Sequence, residues 1–366
     1  MTHFLNRKSD GTFSYIFYDS KNASLSIKRY GKRGTKGNIT ILRQNIERDF
    51  SCSVDATGTI HIIFSTVNNE IHYGYFTENS FKSFQILSAK SQMNYKKHLM
   101  LCAKANPICV FYTIKHNGKN ILSMQNVNPE EHSASAPTAI DYILDPDAQI
   151  NICTNEMGNI FAAYSKDGKE NETCINIVRE FQRDGTTKNV REYLSEVNEP
   201  LSIDCMYFEN NETLKLMAHT LSHEELHLLT FDSKISSEKI SLKDLPRNAN
   251  TFYHLLPLYG KLYCYMHSDG NIYSCILRGG SANINLEKQA RQYGGNIFPI
   301  NCIINDLPQN TNQFILPGNL NSGIFFYMFN PFSDVKTTEE VMDFSRLSNI
   351  ERRLSEIEKY IKDLTK

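Results

Sequence analysis

The chain has 366 residues, of which 40% are hydrophobic, and its formal net charge is -1. This composition excludes a globally disordered chain and gives no overall attraction to nucleic acid or acidic membranes. An anionic partner would need a local basic patch, and we do not expect nucleic acid as a partner. The sequence contains no run of 18 apolar residues, so we expect no segment that spans a bilayer, and no secretory signal is visible at the N-terminus.

Nine cysteines without a C-x-x-C pair are typical of a reduced protein, so we expect a cytoplasmic location. The abundance of Asn, Lys and Ile favours an AT-rich bacterial genome.

Short apolar segments recur at a nearly constant spacing. Cys52, Cys102, Cys153 and Cys205 lie 50, 51 and 52 residues apart, and Cys302 follows about two further steps on. Each cysteine sits in a first apolar run, which is followed by a turn, a second run, a polar hairpin, a third run and usually a weaker fourth. In the second unit these runs read DFSCSVD, GTIHIIFST, EIHYGYF and FQIL. Short, often alternating runs rich in Ile, Tyr, Phe and Val predict β-strands.

Seven such units of about four strands, at ~40–50 residues each, predict an all-β fold, a seven-bladed β-propeller over residues 1–332. The pattern resembles seven-bladed propellers of the broad sialidase-like or kelch-like kind over this whole range. The resemblance concerns architecture only, because the chain has no tryptophan and therefore lacks the sialidase Asp-box S-x-D-x-G-x-T-W. The kelch and W-D signatures are absent as well. It therefore implies no catalytic residues.

One stretch matches a zinc-protease signature. His223, Glu224 and His227 spell H-E-x-x-H, which holds zinc when both histidines share one helix face. Ser222 and Glu225 even resemble a helix capping box. The repeat, however, aligns EELHLLTF with NEIHYGYF of the second unit, which places the motif on a hairpin and a strand. Histidines four apart on a strand lie roughly 13 Å apart and cannot share a metal. We therefore expect no metal and no cofactor.

The remaining cysteines and histidines offer weaker candidates. The repeated cysteines could ring a central channel and bind a soft metal, but we favour packing, because buried cysteine behaves as a small apolar side chain. Histidines 61, 72, 219 and 267 show no acidic partner at a fixed offset, and we expect most of them at the surface or at interfaces.

Two groups of residues are candidates for ligand binding. In propellers, the loops between second and third strands share one face with the linkers between blades, and that face commonly carries the site. The candidates for a rim there are Tyr95, Lys96, Arg247, Arg291 and Tyr293. A basic, glycine-rich hairpin on the opposite face could bind an anion through Lys28, Arg29, Lys32, Arg33 and Lys36. The alternative for both groups is an ordinary solvated loop.

The C-terminal segment has a different periodicity. After a linker, 333–344, residues 345–366 predict a coiled-coil oligomerisation helix. Its apolar positions are spaced 3, 4, 3, 4 and 3 residues apart: Leu347, Ile350, Leu354, Ile357, Ile361 and Leu364. In a parallel assembly Arg346 would meet Glu351, and both positions recur one heptad later as Arg353 and Glu358. The mixture of Leu and Ile favours a homo-trimer or homo-tetramer.

These features favour a non-enzymatic binding or scaffold propeller, displayed multivalently by its C-terminal helix, with a protein or glycan ligand. The alternative is a propeller enzyme that acts on glycans or polyanions at the mouth of the channel.

Overall fold

A computed structural model of the protein describes residues 3–288, apart from short gaps, and three further strands. The gaps are 9, 11, 32–35, 78–79, 89–94, 145–147, 156–157, 168–173, 183–185, 195–199, 210–212, 233–234, 243–244, 246–250, 259–260, 269–270, 278–283 and 286. The further strands are 301–304, 315–317 and 326–328.

All regular elements in the described residues are strands, and each successive group forms an antiparallel sheet. Sheet 1 contains β1 (His3–Arg7), β2 (Phe13–Asp19), β3 (Ser24–Tyr30) and β4 (Lys36–Gln44). Sheet 2 contains β5 (Ile46–Val54), β6 (Ile60–Thr66), β7 (Ile71–Phe76) and β8 (Phe81–Leu87). Sheet 3 contains β9 (Met100–Cys102), β10 (Ile108–His116), β11 (Lys119–Asn128), the short β12 (Ser133–Ala134) and β13 (Thr138–Ile143).

The next three sheets repeat this plan. Sheet 4 contains β14 (Asn151–Thr154), β15 (Ile160–Asp167), β16 (Cys174–Phe181) and β17 (Thr187–Leu194). Sheet 5 contains β18 (Leu201–Glu209), β19 (Thr213–Thr220), β20 (Leu226–Phe231) and β21 (Ile235–Ser241), to which β25 (Ile284–Asn285) adds in parallel. Sheet 6 contains β22 (Phe252–Leu258), β23 (Lys261–Ser268), β24 (Asn271–Leu277) and β26 (Glu287–Lys288).

Three short strands lie beyond sheet 6. β27 (Asn301–Ile304) pairs in parallel with β1, and β28 (Ile315–Pro317) pairs with β29 (Phe326–Met328). The predicted first, second and third runs of every unit thus coincide with strands, which confirms the strand prediction. The weak fourth runs of the third and fourth units, β13 and β17, were not evident from the sequence.

The hydrophobic core lies between successive sheets. β6 is buried along its whole length, because its two faces pack against two different sheets. Ile62 and Phe64 belong to a cluster shared with sheet 1, whereas Ile63 belongs to a cluster shared with sheet 3. The other described clusters likewise combine sheets 3 and 4, 4 and 5, and 5 and 6. β6 therefore packs on a neighbouring sheet through each of its two faces, as in the blades of a propeller.

The first strands of sheets 2 to 6 lie next to one another in chain order. Hydrogen bonds also join them: Ala103 N donates to Ser53 Oγ at 3.1 Å, and Leu255 N donates to Cys205 Sγ at 3.1 Å. The parallel pairing of β1 and β27 places Leu5 opposite Cys302. The described residues therefore have an all-β, propeller-like fold.

The repeated cysteines are part of the packing. Cys52, Cys102 and Cys205 are buried in the clusters between sheets, and burial raises the pKa of each thiol. A protonated thiol in apolar surroundings packs as a small side chain and is a poor metal ligand. These observations support the packing interpretation.

The turns between first and second strands repeat one geometry. Gly58 and Gly158 have φ values of 85° and 81°, which few residues other than glycine adopt. Asp55 and Asn155 precede them by three residues, and each accepts a hydrogen bond from the backbone amide four positions further on.

The part of the chain that the structure describes contains no helix with the length and apolar character of a membrane span.

Candidate functional site

The hairpins between second and third strands lie on the same side as the linkers between sheets, and we call this side the hairpin–linker face. In sheet 2 the hairpin turns at Asn69, with φ 62°, and in sheet 5 at His223, with φ 57°. Backbone hydrogen bonds close both turns, from Thr66 N to Glu70 O at 2.9 Å and from Thr220 N to Glu225 O at 3.0 Å. The two hairpins are therefore structural equivalents, as the sequence alignment of these units predicts.

A buried ion pair fixes the hairpin of sheet 2. The Lys97 side chain is 1% exposed, and its Nζ lies 2.7 Å from Glu47 Oε2 and 3.0 Å from Asn69 Oδ1. The hydroxyl of Ser65 also donates to Glu47. Loss of one partner from such a pair costs about 3–5 kcal/mol, because the other charge stays buried without compensation. Lys97 thus ties the linker before sheet 3 to the hairpin of sheet 2.

Two of the predicted rim residues lie on this same linker. The ring of Tyr95 is half-buried, with its centroid 5.1 Å from Lys97 Nζ, whereas Lys96 is exposed. The other three rim candidates, Arg247, Arg291 and Tyr293, lie outside the described residues. Lys97, Glu47 and Asn69 were not singled out from the sequence. Only the position of Lys97 beside Tyr95 and Lys96 pointed toward them.

An open cleft of about 410 Å³ borders this hairpin. It lies between the end of β4 and the turn of sheet 2. A β-bulge shapes its first wall: Leu25 is opposite Arg43 and Ser26 is opposite Ile41, so Leu42 is an extra residue. Bulges redirect side chains and are common beside binding sites. The lining residues are Ile41, Leu42, Arg43, Gln44, Asn45, Thr66, Asn68 and Glu70.

Glu70 is the anchored acidic group of the cleft. Its Oε2 accepts hydrogen bonds from His72 Nε2 at 3.1 Å and from Thr66 Oγ1 at 3.3 Å. The bond from His72 is the largest cause of a lowered pKa of Glu70, and the positive charge of Arg43 contributes in the same direction. Glu70 therefore presents an ionised carboxylate of fixed orientation at neutral pH.

Sheet 5 repeats this glutamate–histidine pair with one difference. His227 Nε2 lies 3.1 Å from Glu225 Oε2, and Lys239 Nζ lies 2.9 Å from Glu225 Oε1. The sequence-based expectation that His72 had no acidic partner at a fixed offset was therefore wrong. The acid precedes the histidine by two residues in both sheets, because side chains two apart on a strand share one face.

The H-E-x-x-H residues lie on a hairpin and a strand, which confirms the prediction. His223 is in the turn between β19 and β20, and His227 is on β20. The His223 ring stacks on His219, with centroids 4.3 Å apart. Among the described residues no group of three or more His, Cys, Asp or Glu is placed to hold a metal ion.

His219 belongs to a second buried acid–histidine pair. Asp204 is the extra residue of a β-bulge in β18, and its Oδ2 lies 2.7 Å from His219 Nδ1. Their side chains are 5% and 7% exposed. Burial raises the pKa of Asp204, and the charge and hydrogen bond of His219 offset this only in part. His61 is buried as well, 3.0 Å from Asp55. His61, His72 and His219 were expected at the surface or at interfaces, and their burial rules out the surface position.

The basic hairpin between β3 and β4 is described only at its ends. Lys28 and Arg29 end β3 and Lys36 begins β4, whereas Lys32 and Arg33 lie outside the described residues. The Arg29 guanidinium lies 5.5 Å from the centroid of the Phe76 ring in sheet 2. This cation–π contact gives Arg29 a structural role between two sheets.

The described sheets define an all-β, propeller-like protein. The chain is also similar to several solved structures. A fucose-recognising lectin of the fungus Aleuria aurantia, described as a six-bladed propeller, matches at 10% identity, 79% of this chain, 95% of the lectin and a TM-score of 0.45. An ulvan lyase matches at 7% identity, 79% of this chain, 82% of the lyase and a TM-score of 0.47. The propeller domain of the Trilobed protease of Pyrococcus furiosus matches at 11% identity, 77% and 84% coverage and a TM-score of 0.42. At these identities the likeness concerns the fold alone. No protein-family model and no curated protein sequence matches the chain.

The raised pKa of Asp204 predicts a specific dependence of stability on pH. A group whose pKa is raised by folding contributes stability below its unfolded pKa of about 3.9, and this contribution is lost as the pH rises through the folded pKa. Asp204→Asn removes this loss. We therefore expect the free energy of unfolding of the variant, relative to wild type, to increase between about pH 4 and pH 7. Urea unfolding at several pH values measures it.

Glu225→Gln is the matched control with the opposite sign. The hydrogen bond from Lys239 is the largest cause of a lowered pKa of Glu225. This group contributes stability above its unfolded pKa of about 4.3 and loses it as the pH falls. Its variant should therefore become relatively less stable over the same rise in pH. Equal slopes for both variants would contradict the assignment.

The turn conformation predicts the response of His223 to substitution. His223→Asn should retain the melting temperature to within a few degrees, because asparagine tolerates the left-handed conformation and occupies the equivalent position 69. His223→Val should lower the free energy of unfolding by about 1–3 kcal/mol, because a β-branched residue is strained there. Thermal unfolding measures both effects. One zinc ion per chain that is lost in either variant would instead support a metal site.

Proposed function

We propose that this chain is a non-enzymatic binding protein. Residues 1–332 form a seven-bladed propeller of the broad sialidase-like or kelch-like architecture, and its hairpin–linker face binds a protein or glycan ligand. Residues 345–366, after the linker 333–344, form a parallel coiled coil that presents three or four propellers together. Several weak sites on one particle then act with a high combined affinity.

The observation that carries this proposal is the cleft beside the hairpin of sheet 2. Lys97 holds the hairpin through Asn69, and Glu70 is fixed by its own hydrogen bonds, so the carboxylate of the cleft is oriented before a ligand arrives. Such preorganisation lowers the entropic cost of binding. Arg43, Gln44 and Asn68 form no side-chain hydrogen bond or ion pair with another described residue, and these groups remain available to a ligand.

The buried acid–histidine pairs favour binding over catalysis. A general base has to reach its substrate, directly or through one water molecule. His61 and His219 are 3% and 6% exposed, and neither lines the cleft. Their hydrogen bonds join neighbouring strands and fit a structural role. The enzymatic alternative, action on glycans or polyanions, is therefore the second candidate.

The seven-bladed arrangement has support at the junction of the chain ends. β27 lies beside β1, and β28 pairs with β29, which matches the first, second and third strands of one more unit. This unit would close the ring between sheets 6 and 1. Closure removes exposed interfaces on both of these sheets.

A screen against glycan arrays and polyanions tests the binding function. We expect at least one ligand to be retained without chemical change. The retained ligands should be recovered intact, as shown by mass spectrometry after long incubation. Reproducible turnover of any compound would overturn the non-enzymatic proposal and favour the enzymatic alternative.

Truncation of the chain after Asp334 tests the display of several propellers. The full chain should be a trimer or tetramer by light scattering, and the truncated chain should be a monomer with unchanged intrinsic affinity. Its avidity for a surface-bound ligand should fall by about 10²-fold or more, because each propeller then binds alone. A full-length monomer at micromolar concentration would refute this role, as would an oligomer that survives the truncation.

A further inference from the structure

The two glutamate–histidine pairs differ in the hydrogen bonding of one carboxylate oxygen of the glutamate, Oε1. In sheet 5 both carboxylate oxygens of Glu225 are engaged, Oε2 by His227 and Oε1 by Lys239. In sheet 2 the two hydrogen bonds of Glu70 both reach Oε2. Oε1 of Glu70 has no hydrogen-bond partner among the described residues. Both carboxylate oxygens of the glutamate are therefore hydrogen-bonded in sheet 5, whereas in sheet 2 one of them is left for another partner.

The strand opposite each pair explains this difference. Lys239 is the cross-strand partner of His227, and Gln85 is the cross-strand partner of His72. Gln85 is exposed and does not bind Glu70, whereas Lys239 closes its glutamate with an ion pair. The open glutamate is also the one that lines the cleft. An ionised acceptor of fixed orientation thus faces the space where a ligand can bind.

The rest of the cleft limits the chemistry of that ligand. Its lining carries one positive group, Arg43, and one negative group, Glu70, so neither a polyanion nor a polycation is favoured. The side chains of Gln44, Asn45 and Asn68 supply both donors and acceptors. Ile41 is 47% exposed and offers an apolar surface beside these groups. Paired donors and acceptors next to an apolar surface suit a molecule with hydroxyl groups on its rim and C–H groups on its face.

We propose that the cleft binds an uncharged saccharide unit, and that Glu70 determines its specificity. A sugar hydroxyl donates to Glu70 Oε1, a neighbouring hydroxyl oxygen accepts from the Arg43 guanidinium, and the C–H face of the ring packs on Ile41. A site built to hydrogen-bond a hydroxyl group discriminates strongly against analogues that lack it. This inference rests on the proposed binding function and assigns it a ligand class and a location.

The test introduces into sheet 2 a lysine at the position that Lys239 occupies beside the glutamate of sheet 5. The full chain is applied to an array of neutral, acidic and aminated oligosaccharides, and methyl glycosides of the bound sugars are then titrated by calorimetry. Gln85→Lys should place an ammonium group on Glu70 Oε1 and weaken binding at least about 10-fold, although no lining residue is changed. Glu70→Gln, which keeps the shape but removes the charge, should weaken it by a similar factor. Melting temperatures confirm that both variants fold.

Glu225→Gln is the matched control, because it changes the equivalent residue in the saturated pair, and it should bind with the affinity of the wild type. Binding of neutral sugars that is unchanged in Gln85→Lys and Glu70→Gln would overturn the location but leave the binding function intact. Exclusive retention of acidic or aminated sugars, or of no sugar, would overturn the ligand class. Turnover of a bound sugar would instead count against the proposed function itself.

Discussion

The packing of apolar side chains between successive sheets is the constraint on which the rest of the structure depends. No described sheet has a core of its own, because each cluster combines residues from two neighbours. A strand such as β6 is consequently buried on both faces. Polar side chains on such strands, for example His61, are buried too and form hydrogen bonds there. Variation in chemistry is therefore tolerated at the ends of strands, where the cleft lies, and is restricted at their centres.

Repetition of one local structure makes small differences between sheets informative. Glu70–His72 and Glu225–His227 have the same spacing, the same hydrogen bond and equivalent hairpins. A single cross-strand residue decides whether the carboxylate is closed by a lysine or left open to a cleft. A repeat of this kind can thus keep its scaffold while the groups exposed at each hairpin change from one sheet to the next.

Histidines illustrate how a motif depends on its structural context. The five-residue zinc signature is divided between a turn and a strand, and its two histidines have separate partners, His219 for one and Glu225 for the other. Two other buried histidines, His61 and His219, pair with Asp55 and Asp204 from other parts of their own sheets. Hydrogen bonds of this type satisfy polar groups that would otherwise destabilise the interfaces between sheets.

The sequence by itself determined the all-β class, the position of nearly every strand, and the repeat register. That register placed the zinc motif on a hairpin and a strand and not on a helix. These features follow from local periodicity, which depends on residues close in the chain. The tertiary structure alone decided the pairs Glu47–Lys97 and Asp204–His219, which are 50 and 15 residues apart, and the meeting of Arg43 with Glu70 at one cleft. The β-bulges at Leu42 and Asp204 that redirect these side chains leave no periodic signal. Contacts of this kind depend on how one sheet or strand is placed against another. A strand's own pattern of apolar residues carries no information about which polar side chain its neighbour will present.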